Sequence, residues 1–477
     1  MEKLEHPDFP TQNLNGLPLP KPLFLPPLEP EFRPAVLANQ QFERSVAAVG
    51  EPLVIGLERE DGQIGRLETK IFPAAHPNAG ANFAYIERLV KFMLWQRGGF
   101  KLYIGGDRAL AASIQKAYGP GGSRQWDRQF MAEQVYEQPF EVIACQINEV
   151  PAAREAGITL GRHLDGCRIG FDLGASDRKV SAVINGEVVY SEEVIWEPRK
   201  QSDPDYHYRQ ILTALKTAAA QMPRVDAVGG SSAGIIINNQ PKVASLFRNV
   251  PAEKFGDVKS LFQRLGQELG VPFEVINDGD VTALAGSMSL DDDGVLGIAM
   301  GSSEATGYVD TQGKIKGWLN ELAFAPVDYN PSGPRDEWSG DIGLGSQYFS
   351  QQCVFRLAPR AGIEIPVNLT DAEKLKFVQV QLEAGHPGAC KIWESMGIYL
   401  GYGIAHYAQF YDIRHVLILG RCTSGSGGDL ILKGAVNVLV SEFPELAARI
   451  QIRLPDEKSR RVGQSIAAAS LPALAQK

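Results

Sequence analysis

The sequence predicts an α/β fold built from two similar lobes around a cleft, preceded by a smaller α/β domain and a proline-rich extended arm. Two observations carry this. Between 166 and 290, apolar strands at 167–173, 179–184 and 188–195, with Asn185-Gly186 as a hairpin turn, lead into a helix at 208–221 and strands at 227–228 and 273–277. Between 291 and 477 the outline recurs: 294–300, 307–310 and 314–319 suggest a second meander, followed after a loop by a helix at 391–410 and a strand at 415–419. An antiparallel ribbon followed by α/β crossovers, occurring twice, gives duplicated domains with a cleft between them. At 477 residues the chain also exceeds what one ordinary core supports.

The elements before these lobes follow the same logic. In residues 1–34 prolines recur every few positions, which prevents helix and favours an extended arm clamped over a domain rather than a partner-binding PxxP ligand. Residues 35–151 read as globular α/β. A strand at 53–58 precedes a helix at 85–97 with Ile86, Leu89, Val90, Met93 and Leu94 on one face, and a strand at 100–104 ends at Gly105-Gly106. The mixed charges of 106–130 fit either an anion pocket or a solvated face.

Composition narrows the function classes. A net charge of -9 and a pI near 5.5 argue against a nucleic-acid or anionic-membrane binder. Five cysteines, Cys145, Cys167, Cys353, Cys390 and Cys422, are isolated and show neither metal-clip nor disulfide spacing, which fits reduced structural thiols in a cytosol. No signal peptide or membrane-spanning run is visible. Asn368-Leu369-Thr370 matches a glycosylation acceptor but reads better as a helix cap, with Thr370 and Glu373 at capping-box spacing.

Four Gly-rich or acidic turns stand at predicted strand ends, where an open α/β sheet presents its ligand. In GFDLGASDRKV, Gly174 allows close backbone approach to an anion, Ser176 and Lys179 add a hydroxyl and a positive charge, and Asp172 would hold hydrated Mg²⁺. In FEVINDGD, Asp278 stands at the start of a helix, where it can be oriented as a general base. AMGSSEATG places Gly301, Ser302 and Ser303 to wrap phosphates. In LILGRCTSGSGGD, Gly420, Gly425, Gly427 and Gly428 would let an adenosine lie flat on the backbone. Each feature also has a plainer reading. Asp278 can be a helix cap, Glu321 an exposed carboxylate, Lys179 a solvent-facing strand residue, and Trp95, Trp126 and Trp196 core residues rather than sugar platforms.

Taken together, DLGAS, VINDGDVTALAG and the run from GIAMGSSEATGYVD through GKIKGWLNELAF resemble the ROK sugar-kinase family, a ribonuclease H-like branch of the actin, hexokinase and Hsp70 ATPase superfamily. The resemblance covers about two thirds of the chain, from Gly166 onward, and the closing Arg461-Val462-Gly463-Gln464-Ser465-Ile466-Ala467 looks like the family's final helix. It implies Asp278 as catalytic base, Asn277 and Glu321 as acceptor-binding residues, ATP and Mg²⁺ as cofactors, and a homodimer. Three departures stand out. Phe324 replaces the family's His, Gly301-Ser302-Ser303 replaces Gly-Thr-Gly, and 330–350 carries no Cys or His ligand, so no structural zinc is expected. The region before Pro151 shows no basic recognition helix, so DNA binding is not expected.

Residues and resemblance together predict ATP-dependent phosphorylation of a sugar or related polyol hydroxyl. The alternatives are a non-catalytic sugar- or nucleotide-binding sensor or scaffold, suggested by Phe324 and the altered turn, and an ATP-driven activator that docks a client through residues 35–151.

Overall fold

The computed structural model describes residues 14, 16–155, 157, 160–175, 177–455 and 457–474. Residues 1–13 and 15 of the arm, Ser176, and the side chains of Arg461 and Val462 lie outside the described residues.

Four strands, β1 (Glu51–Arg59), β2 (Gln63–Ile71), β3 (Lys101–Gly105) and β4 (Glu141–Cys145), form the first sheet in the order β2-β1-β3-β4. β2 escapes a reading by alternation because it is an edge strand whose Arg66, Glu68 and Lys70 face outward. Against this sheet lies the helix Ala81–Arg97, which is buried almost all round and not only on its apolar face. It is wedged between the sheet and the second lobe, so Glu87, Arg88 and Lys91 are buried with it and must find ionic partners.

The first lobe contains β5 (Cys167–Leu173), β6 (Asp177–Ile184), β7 (Glu187–Ile195), β8 (Ala227–Ser232), a small hairpin of β9 (Ile235–Ile237) and β10 (Gln240–Val243), and β11 (Phe273–Asn277). Its sheet runs β11-β8-β5-β6-β7, with β5, β8 and β11 parallel and the β5–β7 meander antiparallel. The second lobe repeats the plan with β12 (Val295–Met300), β13 (Glu304–Val309), β14 (His415–Leu419) and β15 (Gln451–Arg453), ordered β13-β12-β14-β15.

The strand expected at 314–319 is absent; only Ile315 makes an isolated bridge. Asp310 Oδ1 accepts from the backbone N–H of Gln312 and Lys314, which turns the chain sharply. The backbone N–H groups of Asn320 and Glu321 then donate to Gln96 O (2.9 Å) and Trp95 O (3.0 Å), at the end of the Ala81–Arg97 helix. The amino-terminal domain thus takes the bonds that a third strand would have offered a neighbour.

One hydrophobic core runs without interruption from the first sheet into the second lobe, while the first lobe has its own. The arm lies on the second lobe: Phe32 packs against Tyr348, Tyr399 and Tyr402, and buried Glu29 accepts from Arg356 (2.5 Å) and Tyr399 (2.5 Å). The helix Glu457–Ala469 returns to cover the first lobe. It can do so because Gly170 and Gly229 lack side chains: a Cβ would stand 2.2 Å from Ser465 O and 1.8 Å from Ala468 O respectively.

Candidate active-site cleft

Strand register sets the first part of the site. Asp172 pairs with Ser231, Leu173 with Ser232, and Ser232 with Asn277, so three parallel strands end level at one edge of the sheet. That edge presents Asp172, Ser231 and, one residue beyond β11, Asp278. Ser231 Oγ donates to Asp172 Oδ1 at 2.7 Å and fixes its carboxylate. Burial raises the Asp172 pKa against the opposing influence of Ser231 and Lys179.

The helix Asp278–Leu290 starts at the end of β11. Its N-cap is Asn277, whose Oδ1 accepts from Gly279 N at 2.7 Å while its Nδ2 donates to Gly234 O at 2.8 Å. The capping role is therefore met by Asn277, and Asp278 Oδ1 makes a longer contact, 3.0 Å, with the same N–H. Burial, and then the charge of Asp172, push the Asp278 carboxyl up to about 6. The first turn of this helix presses on β13 so closely that a Cβ on Gly279 would lie 2.1 Å from Thr306 O. That contact brings the edge of the first lobe against the second.

Asp280, which sequence reasoning passed over, accepts from Tyr308 N (3.1 Å) and Asn320 Nδ2 (3.0 Å). Asn320 adopts a left-handed backbone (φ 51°), accepts from Tyr411 OH at 2.9 Å, and offers its carbonyl to Thr306 Oγ1. These bonds hold Glu321, the next residue, facing Asp278 and Asp280. Burial, followed by those two charges, pushes Glu321 up to about 7. Glu304 completes the row. It is buried, takes a hydrogen bond from Tyr407 OH (3.0 Å) on Oε1, leaves Oε2 without a partner, and is pushed up to about 8 chiefly by burial. A row of mutually repelling carboxylates with raised pKa values is an arrangement typical of acid–base sites.

The remaining predicted residues divide. The Gly301-Ser302-Ser303 turn joins β12 to β13, with both serines exposed, and lies beside Gly420, where a Cβ would meet Met300 O at 2.5 Å. Lys179 lies opposite Asp172 and pairs with Asp177 (3.3 Å) and Asp172 (3.9 Å) rather than pointing to solvent. Gly174 accepts the Trp196 indole N–H on its carbonyl, at 2.9 Å. Gly425 precedes the helix Ser426–Glu442 with φ 65°. At Gly427 and Gly428 the space of a missing Cβ is filled by Trp393 and by Thr423 O, so there the glycine serves packing. Trp95 is core, Trp126 is half-buried, and Phe324 packs between them, with ring centroids 4.4 and 5.2 Å away.

A single anchored carboxylate at a level strand edge fits a hydrated Mg²⁺, which needs few protein ligands beside waters and phosphate oxygens. Among the described residues no group of three or more His, Cys, Asp or Glu side chains forms a metal cage. No described helix is long and apolar enough to cross a membrane.

No protein-family model and no curated protein matches the sequence. Solved structures do. A ROK family transcriptional regulator, homolog of the E. coli MLC protein, is 19% identical over 64% of this chain and 79% of its own, with a TM-score of 0.52. A ROK family glucokinase from Streptomyces griseus, in complex with glucose and AMPPNP, is 20% identical over 64% of this chain and 99% of its own (TM-score 0.48). A ROK hexokinase from Thermus thermophilus is 15% identical over 63% of this chain and 97% of its own (TM-score 0.49). The chain has the two-lobed fold of the actin and hexokinase type. In particular it has the ROK fold, with residues before the first lobe added to it.

Proposed function

We propose that this protein transfers the γ-phosphoryl group of ATP to a hydroxyl of a sugar or related polyol. The observation that carries the reading is the position of Asp278: half-buried at a helix start, between the anchored Asp172 and Glu321, with a carboxyl near 6. Such a group is ionised at neutral pH yet basic enough to take a hydroxyl proton as the oxygen attacks. Glu321 and Asn277 orient the acceptor. Asn277 acts through a side chain already fixed at both ends, which limits it to an additional bond by the same atoms. Asp172 would hold Mg²⁺, which supplies neutralisation of the charge developing on the phosphates. The Gly174 and Gly301–Ser303 turns would cradle those phosphates with backbone N–H groups, and Lys179, tied to two carboxylates, would have to exchange one of them for a phosphate oxygen. Gly420 and Gly425 would border the adenosine.

The test is Mg·ATP turnover across hexoses, amino sugars, pentoses and polyols, with Asp278→Asn beside the wild type. One phosphorylated acceptor, lost in the variant, supports the kinase; ATP binding without turnover on any acceptor overturns it.

One observation favours a second reading, a sugar- or nucleotide-binding sensor. Phe324 is built into the aromatic layer of Trp95, Trp126 and Phe130, so it offers the acceptor no polar group. Saturable sugar binding without turnover would mark that case.

A further inference from the structure

The small hairpin β9–β10 of the first lobe belongs to two cores at once. Successive strand side chains point to opposite faces, so Ile236 packs into the core of the first lobe, whereas Ile235 and Ile237, with Val243 on the paired strand, join the core shared by the amino-terminal domain and the second lobe. β10 runs beside the turn Phe130–Val135 of the amino-terminal domain. There Glu137, in a left-handed backbone (φ 54°), accepts from Lys242 of β10 at 3.2 Å and from Lys259 at the end of the helix Phe255–Lys259. The Lys242 side chain is 9% exposed. At Glu60, between β1 and β2, burial raises the pKa and the Lys242 charge counters it. The amino-terminal domain thus grips two lysines of the first lobe. The hairpin is tied in turn to β11, the strand that ends at Asn277. Its turn is Asn238-Asn239, both left-handed (φ 51° and 60°). Asn239 Nδ2 donates to Phe273 O (3.1 Å) while Oδ1 accepts from Val275 N (2.6 Å), and at the hairpin's base Gly234 O accepts from Asn277 Nδ2 (2.8 Å). A line of contacts therefore runs from Glu137 through the hairpin and β11 to Asp278. The same domain holds Asn320 and Glu321 through Gln96 O and Trp95 O.

We propose that the amino-terminal domain is a brace across the cleft, and that Glu137 and Asn239 are positioning residues that set how Asp278 stands against Glu321. A movement of the first lobe away from the second has to withdraw Ile235, Ile237 and Val243 from a core that stays with the second lobe, and to part Glu137 from Lys242. The two bonds of Asn239 hand any such movement of the hairpin to β11. A base misplaced by about 1 Å can cost on the order of 10²-fold in rate, so contacts remote from the cleft can matter to it. This kinetic consequence rests on the phosphoryl-transfer reading; the mechanical link from Glu137 to β11 does not.

The test is amide hydrogen exchange of the full chain, read on peptides covering 273–281, with turnover measured beside it. Glu137→Asn removes the charge and keeps a residue that tolerates the left-handed backbone, and Asn239→Gly does the same for the hairpin turn. Glu137→Asn should speed exchange at 273–281 by at least about threefold, although Glu137 makes no bond there, and Asn239→Gly should speed it further. The double variant should match Asn239→Gly alone, because the two residues act in series. Lys242→Met keeps the buried stem, drops the charge and should repeat the Glu137→Asn result. In turnover, kcat should fall up to about tenfold in the same order, while the urea midpoint stays near wild type because a half-exposed carboxylate contributes little to global stability. Unchanged exchange at 273–281 in Glu137→Asn and Lys242→Met, additive effects in the double variant, or faster exchange that merely follows a lowered urea midpoint would overturn the brace. If the wild type turns over no acceptor, the phosphoryl-transfer reading fails and the exchange result alone decides the brace.

Discussion

Replacing Asp278 by Asn removes the proposed proton acceptor while keeping the shape of the site, because the amide oxygen can still accept from Gly279 N, now 3.0 Å from Oδ1. Helix capping is undisturbed, since Asn277 supplies it. The expected loss is therefore catalytic. General-base catalysis contributes roughly 10²- to 10⁴-fold, which corresponds to about 2.7–5.4 kcal/mol of barrier at 1.36 kcal/mol per factor of ten. The carboxyl near 6 adds a second signature. At pH 7.5 roughly 97% of it is ionised, and below pH 6 kcat/KM of the wild type should fall about tenfold per pH unit. An Asn variant has no such group, so its residual rate should lack that acid limb. The assay couples ADP release to a spectrophotometric readout at saturating acceptor, with nucleotide affinity measured separately and expected to stay within about threefold. A variant kcat within threefold of wild type, or an acid limb that survives the substitution, would refute the assignment of Asp278 as base.

Three further outcomes are expected. Gly174→Val puts a Cβ 3.0 Å from Asp177 O, in a turn whose φ is ordinary, so the chain should fold and nucleotide affinity should fall at least tenfold by equilibrium titration; unchanged affinity would make the turn structural. Asp278, Asp280, Glu321 and Glu304 have folded-state pKa values raised to about 6, 7, 7 and 8. The folded state then binds more protons than the unfolded one between pH 4 and 8, so stability should fall as pH rises through that window, by roughly 1.4 kcal/mol per pH unit for each proton involved. Glu304→Gln should flatten the upper end of that slope in a Tm-against-pH series, and an unchanged slope would show that Glu304 is already ionised in the fold. In Asp341, burial raises the pKa but Arg124, Arg88 and Lys91 outweigh it and hold the carboxyl well below its usual range. Asp341→Asn leaves those cations short of a counter-charge and should cost roughly 3–5 kcal/mol in urea unfolding, well above the effect of a surface substitution.

What the sequence revealed depended on how local the signal was. β5, β11 and β14 end where apolar runs meet Gly or Asp, and the expected boundaries coincide with the observed ones. The expected strand at 314–319 failed because its partner comes from another domain: Trp95 and Gln96, more than 200 residues earlier, take the backbone bonds of Asn320 and Glu321. Glu304 was invisible for a related reason. It stands in a short run of small residues, and nothing local tells a buried carboxyl from a turn residue until Tyr407 is seen to cover it. Asp280 did carry a signal, since it follows Asp278 by two residues at a helix start, but its role depends on Tyr308 and Asn320, which only folding brings near.

The same non-local pattern ties residues before the first lobe to the proposed site. The Ala81–Arg97 helix contributes Arg88 and Lys91 to the cluster on Asp341 and, one turn later, Trp95 and Gln96 to the segment that carries Glu321. One continuous helix thus joins these two points, about 1.5 Å of axial rise per residue apart along its length. Trp126 adds a second link, stacking on Trp95 at 5.5 Å and packing on Phe324 at 5.2 Å. The orientation of Glu321 toward Asp278 is therefore set as much by the amino-terminal domain as by the lobe that contains it. Deleting that domain should not leave a smaller folded protein: the second lobe would lose part of its own core together with the anchor of Glu321, the carboxylate proposed to bind the acceptor.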